Sequence, residues 1–218
     1  MARPRDKERY IEEYILDHRD RSGIVYCATR KSVESVCKEL RSVGISATRY
    51  HAGLTPDERS KNQEDFVYDR KRVMVATNAF GMGIDKSNVS FVLHYNMPKN
   101  LENYYQEAGR AGRDGERAEC ILLFSLGDVQ TAKYFIQNSH DNDELTPEQA
   151  EAAARRDRER LDVMVGYCKT TRCLRSYLLN YFGEHHNGGC GNCSNCTGEF
   201  VQTDITTEAQ KILSGVAR

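Results

Sequence analysis

Four cysteines in the last quarter of the sequence have the spacing of a metal site. Two residues separate Cys190 from Cys193 and Cys193 from Cys196, and 16 residues separate Cys173 from the first of them. Four thiolates complete the tetrahedral coordination of zinc, and gaps of two residues let one tight, glycine-rich loop provide three ligands. The sequence therefore predicts a structural zinc site at these four residues, with free thiols in a loose loop as the alternative.

Three further residues could take the place of one cysteine. Cys168 lies five residues before Cys173, and His185 and His186 lie between the two halves of the cysteine pattern. Thiolate and imidazole are both zinc ligands, so these substitutes stay open. A disulfide framework is not expected for the 8 cysteines, because the charged first 20 residues contain no secretory signal.

Two arginines stand three residues apart among small residues, in the segment 106–115. Arg110 and Arg113 would share one face of a helix, and the glycines and alanines around them would let a ligand approach closely. Paired guanidinium groups suit the terminal phosphate of a nucleotide, where one of them can stabilise negative charge in the transition state. The alternative is a charged turn in contact with solvent.

A glycine-containing segment, residues 76–87, follows a predicted strand and superficially suggests a phosphate-binding loop. The pattern G-x-x-x-x-G-K-[ST] would need glycine at positions 80 and 85, which hold Phe and Asp. Asp85 could instead accept a hydrogen bond from a ribose hydroxyl, and Thr77 and Asn78 could bind a phosphate oxygen. The alternative is a plain turn between a strand and a helix.

His51 follows another predicted strand, directly before Ala52 and Gly53. A histidine in this position is either a structural turn residue or a ligand. The carboxyl ends of parallel strands meet at one edge of a sheet, where open α/β folds bind ligands. We therefore expect the segments around His51, Thr77 and the arginine pair to lie close together.

Apolar runs alternate with amphipathic segments through the first 138 residues, which predicts a parallel sheet covered by helices on both faces. The 218 residues are 39% hydrophobic with a net charge of −1, which excludes a uniformly basic nucleic-acid binder but not a local basic groove. No apolar run reaches the roughly 18 residues of a membrane span. Strands are predicted at 23–28, 47–51, 72–77, 90–95 and 120–124, and helices at 8–21, 31–43, from 55 onward, at 101–107 and at 128–136.

The character of the sequence changes after residue 138. A polar linker runs to residue 145, and a long charged helix is predicted from the capping box at Thr146 to about residue 166. A second helix carries Cys173 and the apolar residues after it. Residues 183–198 are rich in Gly, Asn and Cys and have no hydrophobic period, so a metal rather than a core would have to order them.

Long, ordered motifs in this chain resemble those of the RecQ family of DNA helicases. Residues 25–30, 50–54, 75–86 and 105–115, the last reading YQEAGRAGRDG, are similar to the second motor lobe of that family. Residues 173–196 are similar to its zinc-binding subdomain. The resemblance covers about residues 1–200 and couples the motor motifs to the cysteine pattern.

The resemblance implies an α/β fold, with a RecA-like parallel sheet flanked by helices and followed by a small helical zinc-binding subdomain. It implies three parts: a lobe at 1–138, the zinc-binding subdomain at 139–200, and the truncated start of a winged-helix module at 201–218. The implied activity is ATP-dependent unwinding of DNA in the 3′-to-5′ sense, in recombination and repair, with classification as a hydrolase and an isomerase. Structural Zn²⁺ would be bound here, and ATP and Mg²⁺ would be shared with a first lobe. Single-stranded DNA and duplex junctions would be the partners, in the cytoplasm or at a bacterial nucleoid and not at a membrane.

The resemblance also implies roles for individual residues. Arg113, with Arg110, would act as an arginine finger, and Gln106 would help to order that site. Gly83 and Asp85 would line the ATP cleft. The strand-tracking motifs for DNA would contain Arg30, His51, Gly53, Thr77 and Asn78.

The sequence also departs from the complete family pattern. It has no Walker A motif and no strand ending in Asp-Glu-x-His, so the first motor lobe is expected elsewhere in a longer protein, and the chain alone is expected to be inactive. A non-catalytic nucleic-acid-binding module and a fragment of an RNA helicase are the alternatives. The charged stretch 155–160 could contact DNA phosphates, or it could be a solvated face.

Overall fold

Five parallel strands form the central sheet of the protein. The computed structural model describes residues 6–81, 86–138 and 146–198, together with residues 206, 210 and 214. The strands lie in the order β2-β3-β1-β4-β5, and every neighbouring pair is parallel. They are β1 (Gly23–Tyr26), β2 (Ala47–Tyr50), β3 (Val73–Ala76), β4 (Phe91–His94) and β5 (Glu119–Leu122). The predicted parallel sheet is confirmed.

The helices follow the predicted alternation with the strands. Two predicted capping boxes are present: the Thr55 hydroxyl accepts from the Glu58 backbone N–H, and Thr146 pairs in the same way with Gln149. The helices are α1 (Lys7–Asp17), α2 (Arg30–Ser42), α3 (Pro56–Val67), α4 (Leu101–Ala108), α5 (Leu126–Asn138), α6 (Pro147–Lys169), α7 (Leu174–Tyr181) and α8 (Ser194–Thr197).

Successive strand residues pack on opposite faces of the sheet, because side chains alternate along a strand. Val25 and its neighbours Val75 and Leu93 pack against residues of α1 and α2. On the other face Ile24 and Met74 belong to a separate cluster that includes residues of α3 and of the segment after β3. The three inner strands are therefore buried on both sides, which explains their continuous apolar sequences.

Helix α1 ends earlier than the sequence suggests. It was expected to reach residue 21, but it stops at Asp17, where His18 takes a non-helical φ of −121° and donates its backbone N–H to the Ile15 carbonyl. The Arg21 N–H then bonds to the His18 carbonyl, which turns the chain into β1. The apolar face of α1 ends at Leu16, so packing no longer favours a helix beyond that point.

The chain divides into two compact units, one up to Lys169 and one from Thr170 onward. Helix α6 belongs to the first unit, where the hydroxyls of Tyr167 and Tyr104 lie 3.3 Å apart. The domain boundary after residue 138 and the module assigned to residues 201–218 stay predictions. Among the described helices, none combines the length and the apolar character that crossing a bilayer requires.

Candidate functional site

The four predicted cysteine ligands converge in the second unit. The Sγ atoms of Cys173, Cys190, Cys193 and Cys196 all lie within 4.8 Å of one another. The Cys173 and Cys193 sulfurs are 3.9 Å apart. Zinc–sulfur bonds of about 2.3 Å in a tetrahedron place sulfurs roughly 3.8 Å apart, so this group has the dimensions of a four-thiolate zinc site.

Backbone N–H groups point at the sulfurs of this cluster. Cys173 is the N-cap of α7 and accepts from the Ser176 N–H, while the Cys193 sulfur accepts from the Leu174 N–H at 3.4 Å. Burial alone would raise the pKa of Cys173, but the hydrogen bonds from Ser176 and the neighbouring thiols lower it to about 5. For Cys196 the shift is in the opposite direction: the hydrogen bond between Cys196 and Cys193, together with burial, raises the pKa of Cys196 to about 11. Four adjacent thiolates therefore need a cation to coexist.

A second layer of hydrogen bonds fixes the loop around the sulfurs. The Ser176 hydroxyl donates to the Gly188 carbonyl at 2.7 Å and lies 2.8 Å from His186 Nδ1. The Asn195 amide donates to the carbonyls of Thr170 and Arg172, at 2.8 Å each. Such contacts orient ligating residues and hold a loop that lacks an apolar core.

The substitutes left open by the sequence are not part of this cluster. The group that could hold a metal consists of the four cysteines, without Cys168, His185 or His186. Cys168 is buried in α6 of the first unit. Cys173 lies at the start of α7 rather than within a helix that continues from Cys168, because α6 ends at Lys169.

The predicted DNA-tracking residues lie at the carboxyl edge of the sheet. Arg30 begins α2 after β1, His51 and Gly53 follow β2, and Thr77 and Asn78 follow β3. These three strands are adjacent, so the structure brings the segments together as topology predicted. A Cβ on Gly53 would lie 3.2 Å from Arg30 Cδ and Nη1, so the exposed Arg30 side chain lies against this glycine.

His51 has the hydrogen bonding of a structural turn residue. The residue is 5% exposed. The Gly53 N–H donates to Nδ1 at 3.2 Å, and Nε2 lies 2.8 Å from Glu34 Oε1. Since Nδ1 accepts, the proton is on Nε2 and is directed at the carboxylate. The geometry thus favours the turn alternative for His51, and Arg30 and Gly53 offer the accessible surface beside it.

The arginine pair lies on a glycine-rich turn and not on a helix. Helix α4 ends at Ala108, so the expectation that Arg110 and Arg113 share a helical face is wrong. Gly112 and Gly115 have φ values of +69° and +84°, which a helix does not contain and which favour glycine. Arg113 is exposed and Arg110 is half-buried.

The helix before this turn is anchored to the sheet edge. The Glu107 carboxylate of α4 lies 2.9 Å from Nε2 of His94, at the end of β4, and both residues are buried. Gln106 is exposed on the same helix. The predicted ATP-cleft residues Gly83 and Asp85 lie outside the residues that the structure describes.

Lys86 has a structural partner that the sequence did not reveal. Its ammonium lies 2.7 Å from Asp69 Oδ1 and 5.2 Å from the centre of the Phe66 ring, and its side chain is 1% exposed. Asp69 has a φ of +59°, which places its carboxylate beside the lysine. Lys86, which follows the glycines of segment 76–87, is therefore paired with Asp69 at the edge of the core. This agrees with the failure of the segment to match the phosphate-binding loop pattern.

Replacement of Asp69 by Asn should destabilise the lobe by about 2 kcal/mol at neutral pH, because Lys86 would remain buried without its carboxylate. This is less than the roughly 3–5 kcal/mol of a fully buried pair, since the Asp69 side chain is 54% exposed. Asn tolerates the positive φ, so backbone strain does not contribute. Urea unfolding with and without the substitution measures the difference.

The same pair predicts the pH dependence. The Lys86 ammonium, which donates to it, lowers the pKa of Asp69 below its ordinary value of 3.8. The stabilisation by the Lys86–Asp69 pair is therefore complete above pH 3.8, the ordinary pKa of the carboxyl group. It is lost as the pH falls through the lower pKa that Asp69 has in the folded protein. The two proteins should converge in acid, and the exposed Asp20→Asn is the control. Equal stabilities at neutral pH would contradict the assignment.

A second polar network missed by sequence reasoning joins distant segments. Asp128 of α5 accepts from Lys7 of α1 and from the Asn96 amide, at 2.9 Å each. Asn96 in turn accepts from the Ala28 N–H at 3.0 Å. These bonds border a cavity of about 60 Å³ between the ends of β1 and β4. The contacts span up to 121 residues, so no local pattern could indicate them.

Solved structures share the fold of a large part of this chain. A DEAD box protein from the hyperthermophile Methanococcus jannaschii superimposes with a TM-score of 0.53 at 24% identity, over 62% of this chain and 37% of that chain. Saccharomyces cerevisiae Dbp5, in a complex with RNA and ADP BeF3, gives 0.51 at 22% identity, over 72% and 42%. The fold is therefore RecA-like, a parallel sheet flanked by helices.

Family models cover both parts of the chain. The model of the helicase conserved C-terminal domain matches residues 6–115, and the RecQ zinc-binding model matches residues 126–197. The chain therefore belongs to the helicase conserved C-terminal domain family, and within it to the RecQ helicases.

Curated relatives agree with this assignment. The chain is 45% identical over all 218 residues to the ATP-dependent DNA helicase RecQ of Bacillus subtilis, of which it covers 35%. It is 38% identical to the RecQ helicase of Haemophilus influenzae and to the helicase SGS1 of Saccharomyces cerevisiae, of which it covers 32% and 14%. The chain thus spans about a third or less of these relatives. The RNA-helicase alternative is not favoured, and nothing in these names supports the isomerase class.

Proposed function

We propose that this chain is the second motor lobe and zinc-binding region of an ATP-dependent DNA helicase. The observation that carries the proposal is the contact between Gly81, which follows the carboxyl edge of the sheet, and Arg110 of the glycine-rich turn. Arg30, Gly53 and Asn78 lie at the carboxyl edge of the sheet, and Gly81, three residues after Asn78, lies against Arg110. The residues proposed to track DNA and the arginine pair proposed to act on the nucleotide are thereby in contact through Gly81.

DNA would be tracked through its backbone. Arg30 is an exposed cation beside Gly53, and the side-chain amide of Asn78, which is exposed after β3, can donate to a phosphate oxygen. Phosphate contacts carry no sequence information, as a translocating motor requires. Single strands and duplex junctions are the proposed partners, and movement is proposed in the 3′-to-5′ sense.

ATP would lie between this lobe and a first lobe of the same protein. Arg113 is exposed and Arg110 half-buried on the glycine turn, so Arg113 is proposed to reach a nucleotide across a cleft, with Gln106 seven residues earlier on α4. Gly83 and Asp85 are proposed to line this cleft. When bound, ATP with Mg²⁺ would supply the free energy for strand movement, and the Mg²⁺ ligands would come from the first lobe.

Zinc is proposed to be structural and held by Cys173, Cys190, Cys193 and Cys196. The sulfur spacing and the N–H donors directed at the sulfurs fit a closed four-thiolate site. Such a site leaves no position for a substrate, so the metal would order the loop and not take part in hydrolysis. The cytoplasm is the proposed location, and recombination and repair are the proposed processes.

The activity of a two-lobe protein tests this proposal. We expect no measurable ATP hydrolysis by the 218-residue chain alone, and DNA-stimulated hydrolysis by the full-length polypeptide in which a first lobe precedes it. Turnover by the chain alone would contradict the need for a second lobe. DNA binding without hydrolysis in the two-lobe protein would instead support the non-catalytic binding module.

A further inference from the structure

Arg110 is held by the segment that follows β3. A Cβ on Gly81 would overlap with Arg110 Nη2 and would lie 2.9 Å from its Cζ, so the end of the guanidinium rests against the Gly81 backbone. Among the glycines described, this approach of a charged side chain is much closer than the 3.2 Å between Arg30 and a Cβ on Gly53. A side chain at position 81 and the present position of Arg110 are mutually exclusive.

Tyr26 ties the same segment to the sheet. Its side chain is buried at the end of β1, and its hydroxyl donates to the Phe80 carbonyl at 3.0 Å. Burial raises the pKa of this hydroxyl, and the neighbouring Arg110 guanidinium partly opposes the rise. The tyrosine therefore stays protonated as a donor to Phe80. We call Tyr26, Phe80 and Gly81 the arginine seat.

The other side of Arg110 is anchored through α4. Three residues earlier, Glu107 bonds to His94, whose ring stacks on Tyr26 with a centroid distance of 5.5 Å and an interplanar angle of 21°. Ala111 packs against the apolar cluster that contains Tyr26 and Phe80. Arg110 is therefore positioned between two anchored segments, and its location depends on both.

One atom of Arg110 has no partner. Its Nε is buried and makes no hydrogen bond to any described residue. A buried N–H of a cation without an acceptor is unfavourable, and such groups occur where shape or function requires them. The arginine seat thus holds Arg110 by close packing, although Arg110 Nε has no hydrogen-bond acceptor among the described residues.

We propose that Gly81 is a positioning residue, whose missing side chain lets the position of segment 77–81 determine that of Arg110. The consequence for catalysis rests on the proposed function: the segment that tracks DNA would be coupled to the arginine that lies near ATP. In this proposal Arg113 reaches the nucleotide, and the position of Arg110 changes with that of segment 77–81.

The first test uses the 218-residue chain alone and needs no activity. Gly81→Ala should displace only the flexible end of Arg110, so the chain should stay folded while the ¹⁵N-detected Arg110 Nε–H resonance and the Tyr26 ring resonances shift. Gly127→Ala is the matched control, because its Cβ would lie 3.7 Å from Ser125 Oγ, an ordinary contact. Unchanged Arg110 and Tyr26 resonances in Gly81→Ala, or equal shifts in the control, would overturn the proposal.

The second test measures ATP hydrolysis in the two-lobe protein. Gly81→Ala should lower kcat roughly 100-fold, the loss expected for an ångström-scale misplacement, with little change in KM for ATP. Adding Gly81→Ala to Arg110→Ala should cause no further loss, since both act on one group. Additive losses would contradict the coupling. An inactive unaltered protein would contradict the proposed function, while the resonance shifts would still decide whether the seat exists.

Discussion

Arg113→Ala should reduce ATP hydrolysis by the two-lobe protein by about 10³- to 10⁵-fold, the usual contribution of an arginine finger. Arg113 is exposed on the turn after α4, so its truncation removes a cation from the proposed ATP cleft without opening a cavity in the lobe. The loss should appear in kcat, because the guanidinium acts on charge that develops in the transition state. Steady-state kinetics with saturating single-stranded DNA provide the measurement.

The control for this substitution is Arg117→Ala. Arg117 is an exposed arginine four residues further along the chain and lies outside the proposed site. It should leave kcat unchanged, and both variants should retain the circular dichroism and melting temperature of the unaltered protein. Full activity of Arg113→Ala, or equal losses in the two variants, would remove the arginine-finger assignment.

Cys193→Ala should abolish stoichiometric zinc binding and unfold the loop between α7 and α8. Cys193 lies at the centre of the cluster, since its sulfur is 3.9 Å from that of Cys173 and its N–H bonds to the Cys190 sulfur at 3.2 Å. A structural zinc site contributes about 10–16 kcal/mol of apparent binding free energy, and this segment has no buried apolar core to replace it. Elemental analysis and hydrogen exchange over residues 170–198 report the two effects.

Cys120→Ala provides the matched control for the zinc prediction. Cys120 is exposed on β5 in the first unit and is not part of the metal-binding group. It should retain about one zinc per chain and normal exchange protection. Because the first unit has its own core, the sheet should persist in both variants. Protein that contains no metal when freshly prepared, yet shows a protected loop, would contradict a structural zinc site.

Local patterns gave the secondary structure within a few residues. The strand at 23–28 is observed as Gly23–Tyr26 and the helix at 31–43 as Arg30–Ser42. Both are encoded by hydrophobic period and by capping residues such as Thr29, which acts within three positions of itself. The shared helical face of Arg110 and Arg113 was predicted wrongly, because positive φ values at Gly112 and Gly115 outweigh the helical spacing of the arginines.

The candidate site was predictable where its chemistry is local. The two-residue gaps in the cysteine pattern determine the loop that carries three sulfurs, and the alternation of strands and helices determines that His51 and Thr77 share an edge. The role of His51 was not predictable. Its Nδ1 accepts from a neighbour two residues away, but its Nε2 bonds to Glu34, which lies 17 residues earlier on α2.

The sequence by itself determined the family, the order of the elements and the four sulfur ligands, because each depends on residue types at short, fixed spacings. The tertiary structure alone decided that Lys86 pairs with Asp69 and that Arg110 rests on Gly81 beside Tyr26. These contacts join residues 17 and more positions apart. The geometry of these contacts depends on how the ends of the strands lie side by side in the sheet, and no local sequence pattern encodes that arrangement.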